Sequence, residues 1–245
     1  MIKITDTHSH YDDEAFDNDR YELLRRLLSE SCEKIVTLGC DIEKSRKSLE
    51  IAERFDNVYA AVGVHPENCG DVGEDYLTEL RKLAMHPKAV AIGEIGLDYH
   101  WEPETKNEQI DLLNRQLQIS QDTFLPVLIH DREAHEDCFN ILKNYKLKDV
   151  VFHCFSGDKE FAKKCIDAGY YIAVGGVVTF KNAIELKEAV KYIPSDRLLL
   201  ETDAPYLAPV PFRGKLNTPA YLKYIAQEIA DLKGADIREI KEKTT

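Results

Sequence analysis

The chain has 245 residues, 44% of them hydrophobic, which is enough to bury one large core and is an ordinary length for a single α/β barrel domain. Its 32 Lys and Arg against 44 Asp and Glu leave a net charge of −12 at pH 7, which opposes non-specific binding to nucleic acid, so a polyanionic substrate must be held locally by metal ions and a few basic side chains. No apolar run approaches the roughly 18 residues needed to cross a bilayer, the N-terminus lacks a charged-then-apolar signal pattern, and the six cysteines at 32, 40, 69, 138, 154 and 165 have no CxxC spacing, so a cytoplasmic protein with reduced thiols and no membrane association is expected.

Along the chain, short β-rich apolar runs alternate with amphipathic stretches. Runs at 1–5, 34–38, 58–62, 89–92, 126–129, 150–152, 170–174 and 197–200 predict eight strands. Stretches at 20–31, 42–55, 76–86, 105–123, 132–145, 159–168, 182–192 and 219–233 predict a helix after each. VVF and LLLE are apolar without alternation, as in parallel strands covered on both faces. The count predicts a single (β/α)8 TIM barrel with a metal site at the C-terminal ends of the strands. An open doubly wound sheet has a similar pattern but would scatter the candidate ligands, because only a closed ring brings the first and last strand ends together. No repeat, low-complexity tract or linker interrupts 1–245, which predicts one domain. The longest irregular stretch, 204–218, is rich in Pro, and loops of that length in compact domains are usually functional.

The chemistry-bearing residues follow in chain order. In DTHSH at 6–10, His8 and His10 stand at i and i+2 as the first strand ends, so both rings share a face and can hold one divalent ion at roughly 2.1 Å, with Asp6 as an orienter. His65, in AVGVHP, faces the same mouth as a candidate hydrogen-bonding group for a substrate oxygen. Glu94 follows the fourth strand and opens EIGLDY; its two carboxylate oxygens can each bind one ion. Asp98 is expected to orient a ligand or loop. Tyr99 and Trp101 are candidates to stack on a base, with packing the plainer role for each aromatic. His130 and His153 end the runs PVLIH and VVFH, and strand alternation turns Cys154 away from the site. His86 is expected at the surface, while His100 and His135 lie just beyond the strand ends and are candidates to touch substrate, with solvated positions the plainer reading. Asp203, in LLLETD, meets His8 and His10 in a closed ring.

Six residues thus predict a dinuclear centre. His8, His10, Glu94 and Asp203 hold one ion, while Glu94, His130 and His153 hold the other. Ligation by N and O without thiolate suits Mg, Mn or Zn. Asp203 is the candidate general base, with Glu94 and His65 as further catalytic candidates. From 204 to 227 there is no acidic residue, while Arg213, Lys215 and Lys223 alternate with Tyr206, Phe212, Tyr221 and Tyr224. Arg213 and Asn217 are candidates to grip phosphate oxygens, as is Arg132, two residues past His130. Amide hydrolases of this barrel class often bridge their metals with a carboxylated lysine, but 89–99 contains no Lys.

The strings DTHSH, GVHP, GEIGLDY, HDREA, HCFSG, ETDAPYL and PFRGKLNTPAYL occur in this order along nearly the whole chain, and together they resemble the TatD family of metal-dependent deoxyribonucleases, within the amidohydrolase-like barrels. The resemblance implies a divalent-metal hydrolase acting on DNA, commonly 3′→5′ on single strands, with the ligand roles given above. No obligate protein partner is evident from the sequence. There are two departures. The family usually continues past a Thr pair into a short helical tail, whereas this sequence stops at Thr244–Thr245, where no candidate ligand lies. The family also often has a second histidine after GVHP, where this chain has Glu67. Hydrolysis of the ester in aminoacyl-tRNA, or of another ester or amide, and a non-enzymatic metal-binding role remain as alternatives.

Overall fold

The computed structural model describes residues 3–73 and 75–244. Eight strands, β1 (Ile4–Ser9), β2 (Cys32–Leu38), β3 (Val58–Val62), β4 (Ala89–Asp98), β5 (Val127–Arg132), β6 (Val150–Phe152), β7 (Tyr171–Val174) and β8 (Leu198–Leu200), form one sheet in the order β1 to β8. They alternate with α1 (Arg20–Glu30), α2 (Ile42–Glu53), α3 (Tyr76–Ala84), α4 (Lys106–Thr123), α5 (His135–Leu142), α6 (Lys159–Asp167), α7 (Ile184–Tyr192) and α8 (Leu222–Lys233), and a short α9 (Ile237–Lys243) follows. This is the (β/α)8 TIM-barrel class that the alternation of apolar runs predicts. Met1 and Ile2 of the expected first strand, and Thr245, lie outside the described residues.

The residues gather into two compact units, one formed by residues up to 36 with those from 154 onward, the other by 37–153. In the second unit, β4 pairs in parallel with β3 and β5, and β5 with β6. Its core includes the fully buried Ile92, Ile95, Leu113, Leu117, Ile129 and Phe152. In the first unit, β7 pairs in parallel with β8, and Ser9 at the end of β1 bridges Ala204 beyond β8, so the first and last strands are neighbours. Leu24, Leu198, Leu200, Ile225 and Ile229 are buried there.

Local signals explain where the helices begin and end. The Asp41 side chain accepts from Lys44 N at the start of α2, and Asp158 accepts from Phe161 N at the start of α6. Such N-caps contribute about 1 kcal/mol each. Gly234, at φ 63°, ends α8 in the left-handed conformation that L-residues avoid. Three strands run past their expected C-terminal ends. β1 begins later and runs through His8, β4 runs past Glu94 to Asp98, and β5 runs past His130 to Arg132. Apolarity ends earlier, but backbone pairing does not: Gly96, Leu97 and Asp98 are in register with His130, Asp131 and Arg132. Consequently α5 starts only at His135, after Glu133 has taken a left-handed φ of 58°. The helix α9 was not expected, since seven residues with one buried side chain, Ile240, carry too little periodicity.

Candidate functional site

In the second unit, three candidate ligands and their supports come together at the C-terminal ends of β3 to β6. Glu94 Oε1 lies 2.7 Å from His153 Nε2 and 2.9 Å from His130 Nδ1, and those two ring nitrogens are 3.4 Å apart. His65 Nε2 stands 3.5 Å from the same oxygen, with its ring edge-on to His130. Glu94, His65 and His153 are buried. His65, Glu94 and His130 each offer a donor atom within 4.8 Å of the others, close enough for a metal ion. His65 Nδ1 accepts from Glu67 N at 3.3 Å, so a neutral ring carries its proton on Nε2, the atom facing Glu94.

Asp98 orients His130, as the sequence predicts. Its Oδ2 lies 2.9 Å from His130 Nε2, while Oδ1 accepts from His100 N and Trp101 N, each at 2.9 Å. A carboxylate on one ring nitrogen fixes the tautomer and leaves the lone pair of the other for a cation. Burial opposes the charged imidazolium, but Asp98 and Glu94 outweigh it and push the His130 pKa up to about 10. Burial likewise works against the Asp98 carboxylate, yet the hydrogen bonds from His130 and from the Trp101 and His100 amides hold it at about 2. The pocket is therefore built for positive charge. Gly96 makes this approach possible: a Cβ there would fall 1.8 Å from His130 O.

Two buried glutamines of α4 pin the strand ends, and they escape a reading of motifs. Gln116 accepts from Val64 N at 2.8 Å and donates to Val64 O at 2.9 Å, fixing the residue before His65. Seven residues earlier, Gln109 accepts from Asp98 N at 2.8 Å and donates to Asp98 O at 2.9 Å. Both side chains are fully buried on the face that carries Leu112, Leu113 and Leu117. The detectable signal is two Gln at i and i+7 on the apolar face of a helix.

In the first unit, His8 Nε2 and His10 Nε2 are 3.2 Å apart, and Asp203 Oδ1 lies 3.3 Å from His10 Nε2 and 3.7 Å from His8 Nε2. Asp203 takes a left-handed φ of 59°, rare for a non-glycine residue and typical of functional sites, and its N–H donates to His8 O at 2.9 Å. Asp6 does not orient an imidazole. It accepts from Thr202 N at 2.9 Å and from Thr202 Oγ1 at 2.7 Å, tying β1 to the segment after β8; its complete burial raises the carboxyl to about 7 against these hydrogen bonds. Glu201 is a further buried carboxylate that the motifs did not single out. Its Oε1 accepts from Cys154 N at 2.5 Å, and Cys154 itself is left-handed, at φ 43°.

The expected substrate contacts divide. Arg132 and Arg213 are exposed, Arg132 over the Trp101 ring at 5.4 Å and Arg213 over Phe180 at 4.4 Å. Asn217 is corrected. It is fully buried, and its amide donates to Thr202 O and Tyr206 O at 2.7 Å each, so it anchors the loop from inside and does not grip phosphate. Tyr99 is half-buried, its hydroxyl donates to Asp137 at 2.9 Å and the Lys106 ammonium lies over its ring at 4.5 Å. Phe212 stacks on Tyr221 at 4.1 Å, so these loop aromatics pack on each other. His86, His100 and His135 pair with Glu53, Glu133 and Asp131.

Both clusters fit divalent ions. Ligand atoms about 2.1 Å from one ion stand roughly 3.0–3.4 Å from each other in tetrahedral or octahedral geometry, and His8 with His10, His10 with Asp203, and His130 with His153 stand 3.2, 3.3 and 3.4 Å apart. Imidazole and carboxylate donors at the C-terminal ends of parallel strands define a metal-dependent hydrolase of the TIM-barrel class.

The comparisons with known proteins place it further. Residues 5–245 match the family described as TatD related DNase, and the chain belongs to that family. It is 44% identical to an uncharacterized metal-dependent hydrolase of Bacillus subtilis, YabD, over 98% of this chain and 95% of that protein. It is 35% identical to the 3′-5′ ssDNA/RNA exonuclease TatD of Erwinia tasmaniensis, over 94% of this chain and 92% of that protein. Among solved structures, the TatD homologue YJJV of Escherichia coli superposes with a TM-score of 0.93 at 31% identity, covering 99% of this chain and 95% of that one. The protein is a TatD-type metal-dependent hydrolase. Among the described residues no helix is long and apolar enough to cross a membrane.

Proposed function

We propose that the protein is a divalent-metal-dependent deoxyribonuclease that removes nucleotides from the 3′ end of single-stranded DNA. The observation that carries this reading is the Glu94 carboxylate set 2.7 and 2.9 Å from His153 and His130, with Asp98 holding the far nitrogen of His130. The exonuclease name of the Erwinia relative supports the substrate class.

We assign Glu94, His130 and His153 to one ion and His8, His10 and Asp203 to another, each Mg, Mn or Zn. When bound, the ions supply a water of lowered pKa and offset the negative charge of the phosphodiester. Asp203 accepts the proton of the attacking water on its carboxylate. His65, with its proton on Nε2, donates to the phosphate or to the departing oxygen. Arg132 and Arg213 hold phosphate oxygens, which a chain of net charge −12 must do locally.

The test is incubation of metal-loaded protein with end-labelled single-stranded DNA, double-stranded DNA, RNA and aminoacyl-tRNA, with and without chelator. Stepwise release of mononucleotides from 3′ ends of single-stranded DNA, abolished by chelator, is expected. Chelator-sensitive release of the aminoacyl group with intact DNA would overturn the reading.

A further inference from the structure

The rim of the second unit carries an exposed aromatic that the chemistry above does not use. Trp101 is 60% exposed although it is held by its own backbone: its N–H donates to Asp98 Oδ1 at 2.9 Å. The other oxygen of that carboxylate holds His130 Nε2 at the same distance. One buried carboxylate thus connects a candidate metal ligand to the loop bearing the tryptophan, and the spacing between the indole and the ligand cluster is set by a side chain that packing and hydrogen bonds keep in place.

The neighbours of the indole also have the chemistry of nucleic-acid contact. Arg132 lies over the ring at 5.4 Å, and the His100 ring meets it edge-on at 4.7 Å. His100 Nδ1 is in turn 2.8 Å from Glu133 Oε1. The residue nevertheless remains largely open to solvent. The flanking group is a guanidinium able to pair with phosphate. A flat π surface beside an arginine is the arrangement by which single strands are held without base identity: the base stacks and the cation meets the backbone.

We propose that Trp101 is a stacking platform for one nucleobase of a single-stranded substrate, with Arg132 on the adjoining phosphate. The platform favours single strands, because a base within a duplex cannot offer its face. This rests on the nuclease reading above, whose own failure is recognisable separately.

Trp101 is the one tryptophan of the chain, so its fluorescence reports on this site alone. Chelator-treated protein, which cannot turn over a metal-dependent substrate, is titrated with a short oligothymidylate and with an abasic oligodeoxynucleotide of equal length and charge. Strong quenching by the first and little by the second is expected. Binding of the two is then compared by anisotropy of labelled oligonucleotides. The wild type is expected to prefer the base-containing strand by about 5- to 150-fold, the range for stacking on one base. Trp101→Ala should bring that ratio close to one, and Trp101→Phe should restore part of it. Equal quenching by both strands, or an undiminished ratio in Trp101→Ala, would overturn the proposal. If base-dependent quenching occurs but the metal-loaded enzyme cleaves no oligonucleotide, the nuclease reading fails and the stacking platform stands. Cleavage without base-dependent quenching is the reverse.

Discussion

Asp98 Oδ2 lies 2.9 Å from His130 Nε2, and the same carboxylate accepts the backbone amides of His100 and Trp101. A single buried acid therefore sets both the ring of a candidate metal ligand and the path of the loop that follows β4. Asp98→Asn keeps an oxygen for the two amides but removes the charge opposite His130. The expected result is a divalent-metal affinity about 10- to 100-fold weaker, the usual effect of losing such a partner. Isothermal titration calorimetry of the metal-free protein reads this directly; an unchanged Kd would remove Asp98 from the metal machinery.

Glu94 carries a heavier load, as the acid facing His130 and His153 at once. Glu94→Gln preserves shape and loses the negative charge. Metal-dependent turnover should fall by more than about 100-fold, while the far-UV circular dichroism of the metal-free protein stays that of the folded wild type. Full metal loading with normal turnover in this variant would refute the assignment.

Gln116 is a test of the scaffold rather than of the chemistry. Its amide closes two hydrogen bonds on Val64, the residue before His65, at a position with no access to water. Gln116→Leu leaves a buried N–H and a buried C=O without that partner, at about 1–3 kcal/mol for each group. Urea denaturation should show a loss of at least about 2 kcal/mol. A loss under about 0.5 kcal/mol, the size expected of a surface substitution, would mean that Val64 is held by something else.

These residues also mark what a sequence can disclose. The eight strands were legible because parallel strands covered on both faces are apolar throughout, and VVF and LLL stand out among polar helices. His8, His10, Glu94, His130, His153 and Asp203 stand out as candidates because each lies where an apolar run ends, and the structure brings His8 and His10 beside Asp203 and His130 and His153 beside Glu94. The lengths of β4 and β5 were not, since backbone pairing carries them through Glu94 and His130 irrespective of side-chain polarity. Gln109 and Gln116 were hidden because glutamine on a helix ordinarily faces solvent; only their sharing a face with Leu112, Leu113 and Leu117 hints otherwise. Asn217 was misjudged for the opposite reason. A polar residue in a basic, Pro-rich loop suggests a substrate contact, and nothing local signals that the loop folds over it.

The thiols give a prediction independent of the site. Cys32 is buried beside Asp6, and burial first, then that carboxylate, pushes its pKa up to about 12. The thiolate is the reactive form, so at pH 8 Cys32 should resist alkylation in the native state. Cys40 and Cys154 are only partly buried and should be labelled first. Iodoacetamide labelling at pH 8 followed by peptide mass spectrometry checks the order, and labelling of Cys32 as fast as Cys40 would contradict the burial.

Arg213 and Asn217 lie four residues apart on one loop, and the structure separates their roles. Arg213 is exposed over Phe180, whereas Asn217 is buried with its amide spent on Thr202 and Tyr206. Arg213→Ala should leave the melting temperature within a degree or two, since exposed side chains contribute little to stability, but raise KM for oligonucleotides and reduce the salt dependence of binding by about one unit of slope. Asn217→Ala should do the reverse: it orphans the buried Thr202 carbonyl and frees the part-buried Tyr206 carbonyl on either side of Asp203, costing about 1–3 kcal/mol of stability, and it should lower kcat because the loop that positions Asp203 loses its anchor. Measuring KM, kcat, the salt slope and urea stability for both variants separates the two. Equal effects on stability would show that the loop acts as one unit, and an unchanged salt slope in Arg213→Ala would dismiss its phosphate contact.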